Sequence, residues 1–285
     1  MFLLPLIPLD IMRKTITLAG LCCLLCPNSL QAAFDYLPVD PKGIAMSGAM
    51  TALSGNAWGV FYNPASSANG RSAAGISYAV PYGDSQLRNL SGAISLGQLP
   101  FDKRGAISIG VNHYNASEYH EETVVTGYAR ELLPKIRAGL AISRMTQKID
   151  GFGENSATGV NAGLQADLTS ALIFGISSTN LNAPTIGAVK SKLPRTTLTG
   201  LSYRLETGSL LTVNAQTVPG RSACLLAAGE FTAYRSLHLM VGVATNPSLI
   251  SAGASFGSET LKATAAVSRN IDLGTTSAFG LEVSW

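Results

Sequence analysis

Side chains able to do acid–base or metal chemistry are few in this sequence, and they collect in one short stretch. His113, Glu118, His120, Glu121 and Glu122 crowd a single hairpin, and imidazole with carboxylate oxygen is a donor set that a cation accepts. The same stretch also reads as a solvated tip where charges gather, with no supporting ligand elsewhere. Gly151-Phe152-Gly153 lacks the third glycine and the following helix of a dinucleotide site, so it reads as a flexible loop. No Gly-x-Ser-x-Gly elbow or Walker loop occurs. Arg137 with Asp167, and Lys262 with Glu282, fall on neighbouring segments and face the same way, which suits opposed charges that neutralise one another. These residues give no basis for an enzyme, a cofactor or a metal centre.

The elements that must position them follow a period of two. Val160, Ala162, Leu164, Ala166 and Leu168 alternate with Gly159, Asn161, Gly163, Gln165 and Asp167, and Ile136, Ala138, Leu140 and Ile142 alternate with Arg137, Gly139, Ala141 and Ser143. This is the β period, and it recurs from Ser72 to the end. A solvated second face would be rich in Lys, Glu and Thr. Here it is Gly, Ser, Ala and Asn, and only 13% of the 285 residues are charged while 29 are glycine. Small polar side chains suit the inside of a closed barrel whose apolar face meets lipid, and closure is how a sheet satisfies its backbone in hydrocarbon. The composition disfavours disorder and a coiled coil. A net charge of +3 without a basic cluster gives no nucleic-acid stripe. Beyond the N-terminus no apolar run is long enough for a membrane helix.

The fold class expected is therefore all-β, a transmembrane antiparallel barrel of about fourteen strands. They start near Ser72, Leu87, Arg104, Tyr119, Lys135, Asn155, Ala171, Lys192, Ser209, Ala223, Leu237, Leu249, Leu261 and Gly274. The weakest segments are those near Ala171, Ala223 and Leu249, and twelve strands is the alternative count. Short connections such as Pro100 to Lys103 alternate with longer ones, Ile149 to Ser156 and Leu181 to Lys192, the asymmetry of outer-membrane barrels.

Both termini speak to location. From Met12, a basic Arg13-Lys14 pair, an apolar core to Leu25 and Ser29-Leu30-Gln31-Ala32-Ala33 read as a secretory signal over residues 1–33, cleaved near Ala32 or Ala33. Its removal leaves Cys224 as the single cysteine. At the other end Phe279, Leu281, Val283 and Trp285 alternate with Gly280, Glu282 and Ser284. A terminal aromatic after alternating apolar positions resembles the sorting signal read by the outer-membrane insertion machinery; an edge strand ending in Trp is the alternative.

Residues 34–71 precede the first strand of the barrel at 72–285. Ile44, Met46, Met50 and Leu53 have helix-like spacing, and Pro64 holds Asn63 extended so that its amide can bond backbone groups. The triad Asn63-Pro64-Ala65 thus suits an anchor, or an ordinary turn. Gly48-Ala49-x-x-Ala52 followed by Tyr62-Asn63-Pro64-Ala65 resembles the N-terminal motif of the FadL superfamily, especially its PorV/PorQ-like members. The resemblance implies that this stretch plugs a barrel of about fourteen strands, with Gly48, Ala49, Asn63, Pro64 and Ala65 in that role. Two functions follow as expectations. One is a plugged outer-membrane channel for hydrophobic or amphipathic small molecules, with contacts at Trp58, Phe61 and Tyr62. The other is a non-transport barrel that anchors or shuttles secreted proteins. The expected partners are outer-membrane lipid, the insertion machinery, and either a hydrophobic small molecule or a secreted protein, with no nucleic acid.

Overall fold

The computed structural model describes residues 34, 37–234 and 236–285; the expected leader over 1–33 lies outside them. Among the described residues sixteen strands form, and fourteen close into one antiparallel barrel. The barrel strands are β1 (Ala73–Val80), β2 (Leu87–Leu99), β3 (Asp102–Ala116), β4 (Tyr119–Leu133), β5 (Ile136–Ile149), β6 (Gly153–Asp167), β7 (Leu172–Ser178), β10 (Thr197–Arg204), β11 (Leu210–Thr217), β12 (Cys224–Tyr234), β13 (Leu237–Thr245), β14 (Ser248–Gly257), β15 (Leu261–Asn270) and β16 (Gly274–Ser284). β8 (Thr185–Ile186) and β9 (Ser191–Lys192) pair as a small separate hairpin. β1 pairs with β16 from Ala73 opposite Ser284 to Val80 opposite Ser277, so the sheet has no edge. The rim where β1 begins and β16 ends is called here the terminal rim, and the opposite one the far rim.

The segments near Ala171, Ala223 and Leu249 form β7, β12 and β14, so the count is fourteen and not twelve. Two connections differ from expectation. Ile149 to Ser156 is not a loose loop, because β5 runs to Ile149 and β6 begins at Gly153, with Gly151 and Gly153 at φ 79° and 96° making a tight turn. The strand expected near Lys192 starts at Thr197, because Pro194 has no N–H to give a ladder.

Alternation places one row on each face. Leu140 and Ile142 of β5 are 64% and 59% exposed on the outside, while Ala141 and Ser143 are buried inside. Phe279, Leu281, Val283 and Trp285 all stand on the exposed outer face of the last strand. A belt of this kind around the whole barrel is stable against an apolar surround and a liability in water.

The lumen holds the chain that precedes β1. Asp40 caps a single helical turn, α1 (Pro41–Ala45), by accepting from Gly43 N at 3.2 Å. The helix-like spacing of Ile44 to Leu53 does not continue as helix, because Ser47 and Gly48 turn the backbone to φ 49° and 83°. After further turns come α2 (Gly59–Tyr62) and a 3-10 turn at Pro64–Ser67. α1 packs on β13 to β16, and the 3-10 turn on β4, β5 and β6 across the lumen. The inner face has to be small for this. A Cβ on Gly175 would stand 2.4 Å from Thr51 O, and one on Gly139 would stand 2.5 Å from the Pro64 carbonyl carbon.

An irregular buried backbone also needs donors for its carbonyls, and wall side chains supply them. Gln165 Nε2 donates to both Thr51 O and Leu53 O at 3.0 Å. Ser202 Oγ donates to Ala52 O at 2.9 Å, Thr212 Oγ1 to Ala49 O at 3.2 Å and Ser177 Oγ to Tyr62 O at 2.8 Å. The polar face of the strands is therefore a set of hydrogen-bond donors matched to the inner segment.

Gln165→Leu keeps the side-chain size but removes two of these donors. An unsatisfied buried carbonyl costs about 1–3 kcal/mol, so the variant should convert from the compact to the unfolded gel band at a lower temperature than wild type. An unchanged conversion temperature would mean that this contact does not hold the segment to the wall.

Candidate functional site

Residues 39–69 divide the lumen into two cavities of different chemistry. The cavity toward the far rim has a volume of about 350 Å³ and is lined by Phe61, Tyr82, Tyr114, Tyr119, Glu121 and Met145 among others. The one toward the terminal rim measures about 520 Å³ and carries Lys42, Arg204, Glu230, His238, Lys262 and Glu282. Val39 and Tyr62 border the first, and Asp40 and Trp58 the second. Between them Tyr62 Oη donates to Asp40 Oδ1 at 2.5 Å and accepts from Val39 N at 3.1 Å. One phenol thus ties the start of the segment to α2, and Gly43 leaves it room, since a Cβ there would fall 2.0 Å from Tyr62 Oη.

Asp40 is buried at this junction. Burial pushes its carboxyl above the ordinary carboxylate range, against the opposing pull of the Tyr62 hydroxyl, the Gly43 N–H and the Lys42 charge. Lys42 itself reaches Glu230 on β12 at 2.6 Å, with His238 3.8 Å from the same carboxylate. The segment is therefore tethered by charge on its terminal-rim side and by neutral hydrogen bonds elsewhere.

Asn63 is buried between α2 and the 3-10 turn. Its Nδ2 donates to Thr51 O at 2.8 Å and lies 3.3 and 3.4 Å from Leu164 O and Ile176 O on β6 and β7, while Oδ1 accepts from Ala65 N at 3.1 Å. Pro64 opens the following turn and Ala65 is buried in it. Gly48 ends α1's turn, with its N–H on Gly43 O at 2.8 Å, and Ala49 is fully buried. Trp58 lies against Gly75 of β1. Phe61 and Tyr62 line the far cavity but Trp58 does not.

The charged residues sort differently from a pairwise reading. Arg137 does bond Asp167, on the wall and outside both cavities. Lys262 and Glu282 face one another in register, but Glu282 Oε2 accepts from Ala57 N at 3.0 Å. The ion pairs within contact distance among the described residues lining that cavity are Lys42–Glu230 at 2.6 Å and the exposed Arg71–Glu259 at 2.9 Å. The hairpin of His113, His120 and Glu122 is strand almost to its tip, with only residues 117 and 118 between β3 and β4. Alternation sends Glu121 inward with Tyr114 and Tyr119, and leaves His113, His120 and Glu122 on the outer face. Among the described residues no group of three His, Cys, Asp or Glu side chains is placed to hold a metal. Sequence reasoning missed Tyr82, Tyr114, Tyr119 and Asp40. Tyr114 shares the parity of Ser108, Gly110 and Asn112, so carrying the small-residue row two positions further would have placed it inside.

No family model matches the sequence, and no curated protein does. Solved structures match over most of the chain. The Ralstonia pickettii toluene transporter TbuX superposes with a TM-score of 0.61 at 13% identity, covering 86% of this chain and 97% of that one. A Pseudomonas aeruginosa FadL homologue gives 0.59 at 12%, covering 87% and 97%. The Pseudomonas putida toluene transporter TodX gives 0.57 at 11%, covering 89% and 99%. The chain shares their fold. At such identity the likeness concerns architecture, the closed barrel of fourteen strands.

The raised Asp40 carboxyl makes a pH prediction. A carboxyl whose folded pKa lies above its unfolded value contributes stability below the unfolded pKa and loses it as pH rises through the folded one. The thermal midpoint of wild type minus that of Asp40→Asn should therefore fall as pH is raised from about 4 to about 8. A difference independent of pH would mean that Asp40 ionises alike in both states.

Proposed function

We propose that the chain is an outer-membrane channel for small hydrophobic or amphipathic molecules, in which residues 39–69 plug the barrel and divide the route into two chambers. The observation that carries the reading is the division itself: an aromatic cavity and a charged one meet at the Tyr62–Asp40 contact. The apolar outer belt favours a lipid surround, and a closed sheet has no unsatisfied edge to exclude it. The fold is that of two toluene transporters, which supports an apolar cargo of modest size. A leader over residues 1–33 and insertion led by the Phe279–Trp285 row complete the proposal. The PorV/PorQ-like assignment rests on sequence resemblance, chiefly the Gly48-Ala49 and Tyr62-Asn63-Pro64-Ala65 motif. A protein-capturing anchor would want a broad outer platform. Among the far-rim connections only 179–196 exceeds six residues, which favours the channel.

Deleting Ile44 to Ala65 should leave strand pairing intact while joining the two chambers. Single-channel conductance in planar bilayers should rise well above wild type in samples with normal heat modifiability, and Tyr62→Phe should give a smaller rise. Equal conductance in folded wild type and deletion would place the permeation route elsewhere.

Phe279→Asp puts a charge on the outer row of β16, where hydrocarbon contact costs about 2–4 kcal/mol at mid-depth and less near an interface. Membrane-assembled protein should drop for this variant and for deletion of Trp285. Normal outer-membrane levels of both would contradict the lipid-facing assignment of that row.

A further inference from the structure

We propose that the far cavity is the docking site of the chain's own processed N-terminus: cleavage between Ala33 and Phe34 turns the Phe34 amide into an ammonium that pairs with the Glu121 carboxylate. This rests on the leader that forms part of the channel reading, and it names an occupant of the first chamber.

Phe34 is held at its ring and at its nitrogen. The ring packs beside the buried side chains of Met145 on β5, Ala157 on β6, and Ile186 and Leu193 of the connection between β7 and β10. The backbone N–H donates to Glu121 Oε1 at 3.3 Å. Glu121 points inward from β4, and the Tyr119 hydroxyl donates to the same oxygen while accepting from Gln147 Nε2 at 3.2 Å. Phe34, Leu37 and Val39 all line the far cavity, so the start of the chain runs through it to the Tyr62–Asp40 junction and α1.

The residue directly before Phe34 is Ala33, a small side chain of the kind an export peptidase accepts at the bond it cuts. Hydrolysis adds water across that amide. The hydroxyl goes to the Ala33 carbonyl carbon as the C–N bond breaks, and a water proton goes to Phe34 N. The proton of the new carboxylic acid follows it, so the products at neutral pH are a carboxylate and an ammonium. The Phe34–Glu121 contact then joins two full charges, whose attraction is screened much less inside the lumen than in bulk water. No vacant place on Glu121 is needed, because the bond is already made and the other partners of the carboxylate stay where they are. The backbone agrees. Phe34 has φ 55°, an outlying setting for a bulky residue because the preceding carbonyl crowds its side chain. Cleavage removes that carbonyl and the strain with it, while ring and nitrogen keep their places.

Two measurements test this. The intact mass of protein extracted from outer membranes should give Phe34 as the first residue, and a mature chain that starts anywhere else would overturn the pairing. The second measurement compares four full mature chains refolded in detergent: wild type starting at Phe34, the same chain with Ala33 kept in front, and Glu121→Gln in each form. The Ala33 form keeps the Phe34 N–H but moves the ammonium one residue away. Its conversion from compact to unfolded gel band should therefore occur about 3 °C or more below that of the Phe34 form. In Glu121→Gln the two forms should convert within about 1 °C of each other. Equal temperatures for the two wild-type forms, or a gap that persists in folded Glu121→Gln, would overturn the ion pair. The mass and the wild-type comparison stand even where the Gln variant does not refold. Neither readout involves conductance, so failure of this pairing and failure of the channel reading are told apart.

Discussion

An irregular backbone shut inside a closed sheet has to find a partner for each buried carbonyl, and the rest of this architecture depends on how that demand is met. Residues 49–53 have neither a helix nor a ladder to satisfy them. The carbonyls of Ala49, Thr51, Ala52 and Leu53 are taken by the wall side chains Thr212, Gln165 and Ser202 and by Asn63 of the segment itself, and that of Met50 by the Leu53 N–H. The donors must therefore stand on the inward row of the strands, and their neighbours must be small enough for the chain to approach, as at Gly139 and Gly175. This single requirement accounts for a composition poor in charge and rich in glycine without invoking a water-filled lumen.

The same packing separates the two ends of the lumen chemically. Acidic and basic side chains gather in the larger cavity by the terminal rim, where Lys42 pairs with Glu230 and His238 stands 3.8 Å from the same carboxylate. Among the described residues, the far cavity keeps aromatic rings, neutral amides and one carboxylate. At the junction Asp40 serves two partners at once, the N-terminus of α1 and the Tyr62 hydroxyl. Any movement that opens it must uncouple a helix cap from a buried phenol, so opening and the integrity of α1 are linked.

The barrel was legible because a two-residue period repeated fourteen times is a global signal that single misplaced turns do not disturb. What escaped was local and depended on the third dimension. Ile149 to Ser156 looked like a loop because glycine and polar residues mark both loose connections and tight turns, and only pairing to Gly153 separates the two. Ile44 to Leu53 carried a helical spacing that the wall overrode, since carbonyls capped from outside have no need of an i to i+4 ladder. Glu121 was grouped with its histidine neighbours because adjacency in sequence hides the fact that successive strand residues lie on opposite sides of the wall. For the motif residues Gly48, Ala49, Asn63, Pro64 and Ala65, sequence suggested a segment with an anchoring amide; which carbonyls that amide meets depends on the register of β6 and β7.

Amide hydrogen exchange over residues 43–65 in the detergent-solubilised protein tests the central claim most directly. If wall donors hold this segment inside the barrel, the amides of Leu53, Asn63 and Ala65, bonded to Met50 O, Gly59 O and Asn63 Oδ1, should be protected to an extent comparable with the strands β4 to β6. Exchange of these amides at the rate of an unstructured chain, with the strands still protected, would contradict the account.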